Sequence, residues 1–528
     1  MSTPVEDRAM ERRAIAVHGV VQGVGFRPFV YGLASRLNLG GFVKNRVGGV
    51  LIEVEGDAPS LDSFLAELST KPPPLAQIDH LTWNRRPPRG DRQFRIQPSD
   101  ADQRGPIFVS PDMATCRDCL AELFDPNDRR YRYPFLNCTN CGPRLTIITA
   151  APYDRPRTTM AAFAMCPACR AEYDDPTNRR FHAQPTCCPL CGPQLCLLHG
   201  DGTPIAAHDP VAAFAQALQA GQIGALKGLG GYHITCDARA TTVVAQLRKR
   251  KHRDEKPFAL MVKDEAAVAK LCEGQSGESE MLRCQRRPIV LMRKRHPCPI
   301  AEPVAPGNPY LGVMLPYTPL HHLLLEAVGD MPLVMTSGNR SDEPIAFDDD
   351  DARRRLAGIA DLFLTHNRPI HVRCDDSVTR VVAGAEMPIR RSRGYAPEPL
   401  TLPMHCLEPI VAVGGQLKGT FALGRDRHAF VGHHLGDLDH LEAYRAFVKD
   451  LDLYEKLFAV KPRLLVHDMH PDYASTQYAR RRGEEQGIPL LAVQHHHAHM
   501  ASCMAENGLT EPVIGVALDG TGYGTDGA

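Results

Sequence analysis

The spacing of apolar residues changes several times along the chain, and each change predicts a different kind of element. RRAIAVHGV alternates and is rich in β-formers, FRPFVYGLASRLN repeats apolar residues at helical spacing, and GFVKNRVGGVLIEVEG reads as a hairpin around Gly48-Gly49. Over residues 11–98 the order is strand, helix, strand, strand, helix, strand, which predicts a split βαβ sandwich. The Pro-rich polar stretch RRPPRGDRQFRIQPSDADQRGP carries its last short strand and a linker. Residues 106–197 show little continuous apolar pattern. From 201 to 396, helices such as PVAAFAQALQAG alternate with strands such as PIVLM and PLVMTS, so an α/β domain is expected. APEPLTLPMHCLEP marks a further boundary. From 406 to 528, the hairpin patterns IVAVGGQLKGTFALG and HAFVGHHLG precede the amphipathic LEAYRAFVKDLDLYEKLFAV and the strand RLLVHD. A last strand, PVIGVALD, runs directly into the Gly-rich DGTGYGTDGA, and this segment reads as a domain truncated within its fold.

Composition narrows the function classes. A chain of 528 residues calls for three or four domains. Lys plus Arg and Asp plus Glu each total 61, and this neutral balance argues against a globally electrostatic nucleic-acid or membrane binder. No apolar run is long enough to span a bilayer, and MSTPVEDRAMERR lacks an apolar core after its charges, so a cytoplasmic location is expected. In that reducing compartment the 17 cysteines point to metal ligands rather than disulfides.

Eight of the cysteines are ordered. Cys116, Cys119, Cys138 and Cys141 form two C-x2-C pairs, and Cys166, Cys169, Cys188 and Cys191 repeat the same spacing. Each pair presents two thiolates to one tetrahedral ion, and two pairs complete a closed structural zinc site. LFDPNDRRYRYPFLNCTNCGPRL and YDDPTNRRFHAQPTCCPLCGPQL repeat the surroundings too, so a whole module was duplicated. With every coordination position filled by sulfur these sites are scaffold. The pairs Arg129-Arg130 and Arg179-Arg180 leave local nucleic-acid contact open.

Three further constellations carry chemistry. HGVVQGVGFRPF sets Gly19, Gly23 and Gly25 between a strand and a helix, a loop that can turn backbone N–H groups around an anion, with Arg27 at the helix start and Asn45 on the next strand. VHGVVQGVGFR with VKNRVGGV resembles the ferredoxin-like acylphosphatase family, which implies that Arg27 and Asn45 catalyse hydrolysis of a small acyl phosphate without a metal. LRKRKHRDEKPFALM, VMTSGNRSDEP and PIRRSRGYAP resemble the YrdC family; the likeness implies that Lys251, Arg253, Ser337 and Asn339 bind ATP and a carbamate-type substrate, while a solvated charge run is the plainer reading. In QHHHAHMAS, His495 and His499 share one helical face, His496 and His497 point elsewhere, and Asp519 can complete an open metal site. GGQLKGT and DGTGYG resemble the phosphate loops of the TsaD-like, actin-like ATPase superfamily, which implies the first lobe of such a domain.

This order of parts resembles the HypF family of carbamoyltransferases in [NiFe]-hydrogenase maturation. The resemblance implies that carbamoyl phosphate is hydrolysed to carbamate, that ATP with Mg converts carbamate to carbamoyl-AMP, and that the carbamoyl group passes to the C-terminal cysteine thiol of HypE on the way to the cyanide ligands of the NiFe centre. It also implies two structural Zn sites, Fe or Zn at the His cluster, and an internal passage from the Arg27 region toward Lys251 and Ser337, which limits escape of labile intermediates to water. A tRNA threonylcarbamoyl synthase would match the YrdC-like and TsaD-like parts but needs no acylphosphatase domain. A zinc-scaffolded binding module would not need Arg27, Asn45, Ser337 and Asn339. Neither membrane nor nucleic acid is expected as a partner.

Overall fold

The computed structural model describes residues 10–527 apart from 22, 47–48, 74, 98–108, 151–152, 341–342 and 521. The first unit runs β1 (Glu11–Val20), α1 (Phe26–Arg36), β2 (Gly40–Arg46), β3 (Gly49–Gly56), α2 (Ala58–Thr70), β4 (Gln77–Arg86) and β5 (Phe94–Ile96), the expected order with one added edge strand. The sheet order is β4-β1-β3-β2-β5, with only the β2–β5 pair parallel. Ile15 faces Ile52, and Val43 faces Ile52 from the other side, so the alternating residues share one buried face. Phe26, Val30 and Leu33 of α1 and Leu61, Phe64 and Leu68 of α2 cover that face. Arg46 pairs with Gly49 across the hairpin, whose tip, Val47 and Gly48, lies outside the described residues.

An ion network locks this unit away from its apolar core. Arg12, almost fully buried, reaches Glu53 at 2.7 Å, Glu55 at 2.8 Å and Asp91 at 2.6 Å. Glu55 also accepts the Arg89 and Gly90 backbone N–H groups. Burial works to raise the Glu55 carboxyl, but these donors hold it below the usual range.

The two cysteine modules follow, each with one short helix, α3 (Arg117–Phe124) and α4 (Pro167–Asp174). They pack on a mixed 12-stranded sheet, where Tyr133 and Phe135 join a cluster with Phe214, Leu320 and Leu324. The strand Leu195–His199, directly after the second module, already pairs with Leu362–His366 of this sheet. Val244 and Leu247 of the helix Thr241–Lys251 join the cluster on the opposite face.

A six-stranded sheet forms the last unit, with Ile410–Ala412, Leu464–Asp468 and Leu490–Val493 parallel and three antiparallel strands completing a meander. The amphipathic segment forms the helix Leu441–Leu457 and buries Phe447, Leu451 and Tyr454. One expectation fails: residues 512–519, PVIGVALD, form no strand. Strand conformation needs a ladder partner, and none of the described residues pairs with this run; Ile514 and Leu518 are almost fully exposed. No helix among the described residues is long and apolar enough to cross a membrane.

The Arg12 network makes a testable demand. Arg12→Met leaves Glu55 buried without its cation, and the expected cost is about 3 kcal/mol, read as a lower denaturant midpoint for the first unit; an unchanged midpoint would contradict the role given to Arg12.

Candidate functional site

The cysteine spacing delivers what it promised. Sulfur–sulfur separations are 3.6 Å for Cys116–Cys138, 3.8 Å for Cys138–Cys141 and 3.5 Å for Cys119–Cys141. The second set gives 3.7 Å for Cys166–Cys188, 3.7 Å for Cys188–Cys191 and 3.6 Å for Cys169–Cys191. A tetrahedron with metal–sulfur bonds of about 2.3 Å has edges of about 3.8 Å, so both sets fit zinc. The arginine pairs cross between modules. Arg129 of the first donates to Cys169 Sγ of the second at 3.4 Å and to Glu172, while Arg179 of the second donates to Cys119 Sγ of the first at 3.2 Å and to Glu122. Arg130 and Arg180 bond the same two glutamates. Of the arginines left open above as nucleic-acid contacts, Arg129, Arg130 and Arg179 thus reach thiolates, and Arg180 reaches Glu122.

The phosphate-loop candidate lies under the first module. Gly23 and Gly25 have φ of 71° and 74°, left-handed values that favour glycine, and a Cβ at Gly25 would lie 3.3 Å from Thr139. Among the described residues no side chain caps the α1 N-terminus, so its first N–H groups are available to an anion. Arg27 is partly buried, and burial pushes its guanidinium below the usual range, with Asp154 and Tyr173 acting the other way. Burial, with Arg27 adding its charge, pushes His182 down to about 4. Asn45 is buried on β2, opposite Val50.

In the large sheet the sequence elements converge around one turn. Lys251, fully buried at the end of its helix, donates to the Ser337 carbonyl at 2.7 Å, to Asn339 Oδ1 at 2.7 Å and to the Asn339 carbonyl. Ser337 Oγ donates to Asn339 Oδ1 at 2.7 Å. Burial works to strip the Lys251 proton, with Arg253 acting in the same direction, while three acceptors take its three N–H groups. Arg253 folds back on the Lys256 and Pro257 carbonyls. Arg248, buried and stacked 4.6 Å from Phe258, holds the Arg253 and Asp254 carbonyls.

Sequence reasoning missed a polar group beside this turn. His233, paired in register with Ser337, contacts Asp376 Oδ2 at 2.8 Å and the Tyr317 hydroxyl at 3.4 Å. Burial works to raise the Asp376 carboxyl, but Arg393 and His233 hold it well below the usual carboxylate range. No local motif announces this group, because its members lie far apart in sequence.

The structure brings His495, His499 and Asp519 together. His499 Nε2 is 3.0 Å and His495 Nε2 3.2 Å from Asp519 Oδ2, and the two ring nitrogens are 3.2 Å apart. His496 turns to the Gly520 carbonyl, and the His497 backbone N–H is capped by Gln494. Asp468, the strand-end carboxylate of RLLVHD that sequence reasoning passed over, takes the His495 Nδ1 at 2.6 Å. That bond leaves Nε2 as the ligand nitrogen, and the donor set fits a divalent metal. Burial works against a charged His495, but Asp468 and Asp519 outweigh it and raise its pKa.

Comparison with known proteins finds a different family in each part of the chain. Family profiles match as acylphosphatase over 13–96, HypF finger over 115–148 and 165–198, telomere recombination (Sua5, YciO and YrdC) over 216–392, and HypF Kae1-like domain over 405–506. The carbamoyltransferase HypF of Synechocystis sp. is 48% identical over 516 residues, covering 97% of this chain and 66% of that protein. That of Rhodobacter capsulatus is 47% identical over 527 residues, covering 98% and 69%. A full-length HypF crystallised in the phosphate- and nucleotide-bound form superimposes with a TM-score of 0.93 at 47% identity, covering 99% of this chain and 68% of that one. The chain thus spans 66% of the first relative's length.

Two outcomes follow from the geometry. Replacing Arg129 and Arg179 together by Ala is expected to speed zinc transfer to a chromogenic chelator about tenfold, and an unchanged rate would remove the balancing role. Lys251→Met strips three buried acceptors of their donor and is expected to cost about 1–3 kcal/mol in chemical denaturation.

Proposed function

The chain belongs to the HypF carbamoyltransferase family, and from that membership we propose that it carries out a carbamoyl relay. At the Gly23–Gly25 loop, Arg27 forks onto the phosphoryl oxygens of carbamoyl phosphate and Asn45 orients a water. Water adds to phosphorus as the bond to the carbamoyl oxygen breaks, giving carbamate and phosphate. The α1 N-terminus and Arg27 stabilise the charge that develops.

At the second site Lys251 fixes the Ser337–Asn339 turn, and that turn, with Arg253, places the phosphates of Mg-bound ATP. A carbamate oxygen attacks the α-phosphorus, forming carbamoyl-AMP and expelling pyrophosphate. The carbamoyl group then passes to the C-terminal cysteine thiol of HypE, AMP leaving, for synthesis of the cyanide ligands. In the last unit, His495, His499 and Asp519 would hold a divalent Fe or Zn, which supplies Lewis acidity at a nucleotide; Asp468 orients His495. The reducing cytoplasm is the compartment this reading takes.

One observation carries the reading: the Arg27 loop is roofed by Thr139 of the first cysteine module and Tyr153 of the segment that follows it. A product released under that roof is favoured to move inward, toward the sheet on which the module packs. The neutral charge balance and the commitment of the finger arginines to glutamates favour this over a tRNA-directed enzyme.

The test is exchange of labelled pyrophosphate into ATP, with and without carbamoyl phosphate. Exchange is expected only with carbamoyl phosphate, falling about 100-fold in Arg27→Ala. Exchange indifferent to carbamoyl phosphate would sink the coupling.

A further inference from the structure

Arg368 lies beyond every site described above. It is 4% exposed, yet no hydrogen bond or ion pair among the described residues holds its guanidinium, and its Nε is among the buried atoms without an acceptor. It lies over the Phe135 ring, 5.4 Å away. Other cations nearby are satisfied: Lys227 is bound to Asp349 and the His366 carbonyl, and Arg144 to the Cys141, Pro143 and Thr139 carbonyls. A buried, unpaired cation is costly to keep and draws in any anion able to reach it.

Arg368 lines a cavity of about 30 Å³ between the first cysteine module and the large sheet, walled by Phe135, Gly142, Pro143, Lys227, Tyr317 and His366. One water needs about 10–15 Å³, so there is room for a molecule of a few heavy atoms and none for a nucleotide. The cavity adjoins both proposed reaction sites. On one side the Pro143 carbonyl accepts the Tyr153 hydroxyl at 3.1 Å, and the Tyr153 ring lies 3.6 Å from where a Gly23 Cβ would stand. On the other, Tyr317 reaches His233, which faces Ser337.

We propose that Arg368 and this cavity form a binding site for a small planar monoanion of the carboxylate class, the holding point of carbamate between hydrolysis and adenylation. The planar guanidinium matches two carboxylate oxygens in a fork, which a lysine would not do. The apolar walls keep out the water and protons that decompose such an anion. This inference rests on the relay proposed above.

The test uses the zinc-loaded chain and two rates, phosphate release from carbamoyl phosphate and pyrophosphate exchange into ATP. Arg368→Met is expected to keep phosphate release within about twofold while exchange driven by carbamoyl phosphate falls about tenfold. Arg368→Lys, which retains the charge, is expected to recover a substantial part of the exchange. Exchange in Arg368→Met at the unaltered rate overturns the site, and so does equal loss in Met and Lys variants, which marks packing rather than charge. If the Met variant binds less than its full zinc, Arg368→Gln takes its place. An unaltered chain that exchanges no pyrophosphate defeats the relay instead. The site is then judged by broadening of the 13C resonance of formate on the Arg27→Ala chain: loss on adding Arg368→Met supports it, and no change overturns it.

Discussion

A four-thiolate zinc site carries two negative charges more than its ion, and the duplicated modules resolve that excess reciprocally. Each module sends its arginine pair to a cysteine and a glutamate of the other. Neither module is electrostatically complete alone, so the two form one rigid block. The rest of the structure is arranged on that block. The Arg27 loop lies beneath Thr139 and Tyr153, and Phe135 packs into the core of the large sheet. Four sulfurs on one ion fix the backbone more firmly than so few apolar residues could.

Away from the zinc sites, three cations lie in low dielectric. Arg27, Arg368 and Lys251 each lie where burial disfavours their charge. They differ in how that cost is met. Lys251 is answered by three oxygens of one turn, which makes it a brace for Ser337 and Asn339. Arg27 faces the uncapped start of a helix, itself partly positive, an arrangement suited to a phosphate. Arg368 has no acceptor among the described residues. A protein that handles short-lived anions benefits from having the counter-charges in place before the anion arrives, because no solvent then has to reorganise.

The last unit contrasts with this. Its metal-type cluster is half exposed and rests on one well-buried group, Asp468, which fixes the ring of His495 through Nδ1. The neighbouring run 513–518 exposes apolar side chains that alternate as in a strand but have no ladder to join. Side-chain pattern proposes a strand; hydrogen-bond partners decide whether one exists.

Local chemistry was legible in the amino-acid order alone: the element sequence of the first unit, the eight-cysteine spacing, the glycine loop before Arg27, and the four-residue step from His495 to His499. Each depends on residues close together in the chain, where period, ring closure or backbone freedom acts directly. Tertiary structure alone decided that Arg129 and Arg179 serve the opposite module, that Lys251 faces inward, that Asp468 meets His495, and that Arg368 has no acceptor among the described residues. A charged residue reads the same on paper whether solvent or a distant carbonyl surrounds it. Only the fold supplies that surrounding, and with it the sign and size of what the charge does.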